Sequence, residues 1–128
     1  MVSLSPTALD AFLSAENDGP VVMLNLLRFQ PDGGRERYLR YLELAGLILG
    51  RLGASIVFGG DGLPVLTAGG HAGWDAAVLV QYPRRSVFKA LVDDPEYQSV
   101  FPIGVSALAD LLLQPLTPMV GAASRDDR

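Results

Sequence analysis

In residues 21–29, VVMLNLLRF, apolar side chains occupy odd and even positions alike, and Asn25 and Arg28 are the two exceptions. A strand with one covered face alternates apolar and polar residues, so this run predicts a central strand covered on both sides. Residues 74–82, WDAAVLVQY, are also apolar on both parities in the middle and predict a second strand of the same kind. Between them the period changes. Tyr38, Tyr41, Leu42, Ala45, Ile48, Leu49 and Leu52 repeat every three or four positions, which predicts a long helix over residues 35–52 with Gly53 as its stop.

The remaining elements follow from turn and cap signals. Ser5 before Pro6 marks the start of a short N-terminal helix, and Asn17-Asp18-Gly19-Pro20 ends it. Residues 55–58 predict a short strand that Gly59, Gly60 and Gly62 interrupt, with extended chain resuming at 65–67. Pro83 closes the strand that starts at Trp74. A helix over 85–92, a further turn from Asp94-Pro95 and a short helical piece over 103–109 come next. The last strand spans 110–116, and its Pro115 belongs at an edge or a strand end because proline donates no ladder hydrogen bond.

Leaving out the N-terminal helix, the order is strand, helix, strand, strand, helix, strand. That is the ferredoxin-like βαββαβ pattern of an α+β domain, a four-stranded antiparallel sheet with its helices on one face. One domain over residues 1–128 is expected, with a core at 19–118, an N-terminal helical extension at 1–18 and a loose tail at 119–128. The helices cover one face of the sheet. The other, equally apolar in the two central strands, needs a second copy of the chain.

Composition sharpens this expectation. Hydrophobic residues make up 49% and charged residues 19%, and the mean hydropathy of +0.28 is high for so small a surface, which supports a homodimer. A net charge of -4, with ten basic residues dispersed along the chain, argues against nucleic-acid binding, and Arg35, Arg37 and Arg40 read as the solvated side of a helix. The absence of cysteine excludes disulfides, thiolate nucleophiles and cysteine zinc sites, and one histidine excludes a histidine-rich metal cluster within one chain. No metal or cofactor is expected. No basic segment followed by an apolar run opens the chain, and no apolar run reaches membrane-spanning length, so a cytoplasmic protein without membrane contact is expected.

The run GPVVMLNLLRF, Tyr38 and Tyr41 in a helix, the glycine-rich second strand, Trp74-Asp75 leading to Tyr82-Pro83, Asp94-Pro95-Glu96-Tyr97-Gln98 and the terminal LLLQPLTP together resemble the domain-of-unknown-function family thirteen-thirty, over about residues 19–118. The resemblance implies the dimeric α/β-barrel superfamily, in which two ferredoxin-like subunits close a shared barrel. Arg84 departs from the pattern, since a serine cap is expected after the Tyr-Pro pair. The family has no settled reaction, so the resemblance speaks to fold and dimerisation.

For chemistry, Asn25 stands out as an amide among apolar neighbours, where a lack of partners costs about 1–3 kcal/mol. Either the backbone or a ligand satisfies it. Arg28 has the opposite parity and reads as a surface or interface ion pair, or as a second polar contact to a ligand. Tyr38, Tyr41, Trp74 and Tyr82 are candidate walls for an apolar or aromatic small molecule, or plain core residues. His71 and Asp75, four residues apart across a turn, form a candidate proton-transfer pair, although a histidine between glycines suits an exposed loop equally. Asp93, Asp94 and Glu96 read as helix-end and cap residues rather than metal ligands. The expected function is small-molecule binding, extending to a cofactor-independent enzyme, monooxygenase-like or isomerase-like, on an aromatic or polyketide-like compound. The alternative is a non-catalytic binding or assembly module whose apolar sheet face serves dimerisation only.

Overall fold

The computed structural model describes residues 2–119. Its elements run α1 (Pro6–Ser14), β1 (Val21–Phe29), α2 (Gly34–Arg51), β2 (Ser55–Asp61), β3 (Ala76–Tyr82), α3 (Arg85–Asp93), α4 (Pro95–Ala107) and β4 (Leu108–Leu116). The strands form one antiparallel sheet in the order β2-β3-β1-β4. Each helical connection passes over one strand before the chain rejoins the sheet, which is the ferredoxin-like arrangement. The tail expected at 119–128 lies outside the described residues except for Met119.

Parity along the strands decides which residues meet the helices. Val21, Met23 and Leu27 on β1 and Ala76, Val78, Val80 and Tyr82 on β3 are buried against Tyr38, Ile48 and Leu49 of α2, Phe88 and Leu91 of α3 and Val100 of α4. Leu27, with no exposed surface, sits at the centre of this layer. On the reverse side Leu24 lies beside Leu79 and Gln114, and Leu26 beside Ala77 and Leu112. Among the described residues no helix covers that side, and Phe58, Leu112 and Leu116 are exposed there.

Local chemistry sets the helix ends. Ser5 Oγ accepts from the Ala8 amide, with Pro6 in the first turn of α1. Gly53 takes a left-handed φ of 89° just past α2, a conformation that spares it a Cβ clash. Asp94 caps α4 by accepting from the Tyr97 amide at 2.9 Å. Arg84 provides no side-chain cap for α3. Asp18 does so from the loop before β1, accepting from the Ser86 amide and from Ser86 Oγ at 2.9 Å each. These two bonds hold its carboxyl below the usual carboxylate range.

Several boundaries differ from the sequence expectation. β2 continues through Gly59 and Gly60 to Asp61, because a bulge between Ile56 and Phe58 lets the ladder to β3 resume beyond it. Residues 65–67 form no strand, and 62–75 is a loop closed by the Gly62 amide donating to the Asp75 carbonyl. Trp74 and Asp75 precede β3 rather than opening it. Residues 95–107 form one helix with Pro102 inside it, not two pieces. Proline there frees the carbonyl of residue 98, yet both positions are exposed, so water can take that carbonyl.

Candidate functional site

Between the sheet and its helices lies a partly open cavity of about 350 Å³. This falls at the low end of the size range typical of small-molecule sites. Its floor is Met23 and Asn25 of β1 with Val78 and Val80 of β3, its walls come from α2, α3 and α4, and Val2, Ser3 and Leu4 border it from the N-terminal side. Arg85 helps hold that N-terminal arm, donating to the Phe12 carbonyl at 3.2 Å and placing its guanidinium 4.9 Å from the Phe12 ring centre.

All four tyrosines of the chain line the cavity, although they come from two helices and one strand end. Tyr38 and Tyr41 sit one turn apart on α2 with ring centres at 5.3 Å. Tyr97 reaches across from α4, and its hydroxyl lies 2.5 Å from that of Tyr41. This close approach needs Gly104, because a Cβ at that position would stand 2.9 Å from the Tyr41 ring. Burial pushes all four phenols above their ordinary value, with the Tyr41 hydrogen bond partly offsetting this for Tyr97. At neutral pH they are donors and acceptors, not bases.

Asn25 projects into the same layer. Its Nδ2 donates to the Met23 carbonyl at 3.1 Å and to the Val78 carbonyl at 3.2 Å, so the backbone satisfies both amide hydrogens. Among the described residues, no Asp, Glu, Lys, Arg or His lines the cavity.

The expected site residues therefore separate into two groups. Asn25, Tyr38 and Tyr82 share the cavity with Tyr41. Arg28 and Trp74 do not line it. Arg28 has the reverse parity of β1, and its guanidinium stacks 4.2 Å from the Trp74 ring centre, donates to the Gly73 carbonyl and faces Asp110 at 3.9 Å. The pair ties the 62–75 loop to the sheet end. His71 and Asp75 also lie apart from the cavity. Asp75 spends a carboxylate oxygen on the Phe29 amide at 2.9 Å, His71 is exposed on the loop, and neither lines the cavity.

Several charged residues away from the cavity pair with one another. Arg35 binds Asp61, Arg40 faces Glu43, Arg51 binds Asp94 and Glu96, and Lys89 binds Asp93. Among the described residues no cluster of metal-ligating side chains forms, and no helix is long and apolar enough to cross a membrane.

Neither a family model nor a curated protein matches the chain. Solved structures do. A Rhodopseudomonas palustris protein of unknown function superimposes with a TM-score of 0.82 at 27% identity, over 92% of this chain and 96% of that one. A dimeric ferredoxin-like protein of unknown function from Jannaschia aligns with a TM-score of 0.62 at 13% identity, over 78% of this chain and 100% of that one. A putative antibiotic biosynthesis monooxygenase from Bacteroides thetaiotaomicron aligns with a TM-score of 0.58 at 16% identity, over 79% and 90%. These likenesses establish the ferredoxin-like fold and leave function to the site itself.

Proposed function

We propose that the chain is a cytoplasmic small-molecule-binding protein of the dimeric α/β-barrel type and a member of family thirteen-thirty, with one ligand site per subunit. The observation that carries this reading is the cavity itself, an apolar space in which Asn25 and four tyrosines converge. A module built for assembly alone has no use for such a space, since filling it would add stability. Asn25, Tyr38 and Tyr82 contact the ligand, an aromatic or polyketide-like compound, together with Tyr41 and Tyr97. The dimer forms through the reverse face of the sheet around Leu24, Leu26 and Leu79, as two sheets packing together would require.

A catalytic version, acting as a cofactor-independent monooxygenase-like or isomerase-like enzyme, draws support from the fold shared with the Bacteroides protein. Binding ranks ahead of it. Among the described residues the cavity is lined by no group that exchanges a proton near neutral pH, and His71 and Asp75 lie outside it.

The test is a thermal-shift screen of aromatic and polyketide-like compounds on the native protein and on Ala45→Phe, which fills the cavity. A ligand present at about one hundred times its Kd adds about 2.7 kcal/mol of stability, which reads as a clear rise in Tm. The rise should vanish in Ala45→Phe. Compounds that stabilise both proteins equally would place binding elsewhere.

A further inference from the structure

The polar groups on the cavity wall are unevenly used. Only an NH2 group can face two carbonyls, so the bonds from Asn25 to Met23 and Val78 fix the orientation of its amide. Oδ1 is the atom left over, and it accepts from no described residue. The Tyr41 and Tyr97 hydroxyls have two hydrogens between them and use one on each other, which leaves one free. The Tyr38 and Tyr82 hydroxyls meet no hydrogen-bond partner among the described residues.

None of these oxygens is sealed into packed protein. Among the described residues, the one buried side-chain N or O atom without a partner is Arg85 Nε, away from the cavity lining. The unpaired oxygens therefore open onto accessible space, and in the lining that space is the cavity. An acceptor on the floor and several donors on the walls form a fixed polar pattern inside an apolar shell. Charge is absent from the pattern. An ionised ligand would give up its hydration and meet no counter-ion among the described lining residues.

Building on the reading of this cavity as a ligand site, we infer that it selects uncharged ring compounds that offer a hydroxyl hydrogen to Asn25 Oδ1 and a carbonyl oxygen to the tyrosine hydroxyls, and that it rejects carboxylates of the same shape. The tyrosines act as donors, and burial keeps them protonated.

Four probes of one shape test this by calorimetric titration at about pH 6.5, well below the phenol range. The probes are 4-hydroxybenzophenone, 4-methoxybenzophenone, 4-benzylphenol and 4-benzoylbenzoate. The first carries both groups and should bind tightest. Methylating the hydroxyl or removing the carbonyl should each weaken binding about tenfold, the loss of one hydrogen bond, and the carboxylate should lose about a hundredfold or more. Asn25→Leu should bring 4-hydroxybenzophenone down to the level of its methyl ether and leave the ether unchanged. The double variant Tyr41→Phe with Tyr97→Phe should weaken 4-hydroxybenzophenone and spare 4-benzylphenol. Thermal melts of each variant confirm folding.

If Ala45→Phe abolishes binding while the ether or the carboxylate binds as well as the phenol, the selection rule is wrong and the cavity reading stands. If binding persists in Ala45→Phe, the cavity reading is wrong. If none of the four probes binds, both fall.

Discussion

The sheet presents two apolar faces built from the same strands, and they differ in where their polar groups stand. On the helix side, Met23, Val78 and Val80 share a cavity with an amide and four phenols, and the packing stops short of filling the space between them. On the reverse side, Leu24, Leu26, Leu79 and Leu112 lie in register as a broad apolar surface, with glutamines such as Gln81 and Gln114 toward its margins. Hydrophobicity alone does not separate a ligand site from a subunit interface. The proposed assignment of the two faces rests on where the polar groups stand: inside the apolar layer on one face, around it on the other.

The largest expected effect tests the reverse side. Leu24→Glu places a charge at its centre. Light scattering should show the wild type at twice the 13.6 kDa chain mass and the variant at the monomer mass. A dimer that persists in the variant would move the interface elsewhere. Leu27→Ala probes the helix side at a residue with no exposed surface. It should cost about 2–5 kcal/mol in denaturant unfolding at every protein concentration. Leu24→Ala should differ from it in kind, with a loss that depends on protein concentration because it acts through association.

A smaller effect comes from the four phenols. In the unfolded chain they ionise near pH 10, whereas burial holds them higher in the folded protein. Between those values the folded state retains protons that the unfolded state has lost, so stability is complete below about pH 10 and falls as pH rises above it. Phenolate absorbance should therefore rise together with unfolding rather than as a separate titration. The smallest effect belongs to the other end of β1. Trp74→Ala removes a cation–π contact to Arg28, about 0.5–1 kcal/mol at an exposed site. It should speed proteolysis and amide exchange in residues 62–75 and leave probe affinity in the cavity unchanged.

These contrasts also explain what the sequence could and could not reveal. The apolarity of residues 21–29 on both parities and the helical stripe from Tyr38 to Leu52 specify β1 and α2 closely, because burial on both strand faces or along one helix face leaves a recognisable trace. The parity of β1 alone separates Asn25 from Arg28. Other features left no such trace. Pro102 reads as a break, yet its exposed side of α4 tolerates the lost hydrogen bond. Gly59 and Gly60 read as an interruption, yet the bulge before them lets β2 continue. Tyr97 reads as an ordinary helix residue, and its meeting with Tyr41, 56 positions away, depends on how α4 crosses α2 at Gly104. Asn25 is conspicuous in the sequence, but only the coordinates show that its donors are spent and its acceptor is not.

The two outer strands carry a last consequence. β2 is distorted by its bulge, and β4, at the opposite margin, carries Pro115 opposite Met23. A kinked margin and a proline-bearing one are both poor templates for an incoming strand, so the sheet resists lengthening side by side into filaments. Stacking flat against flat, the geometry proposed above for the dimer, uses neither of these margins.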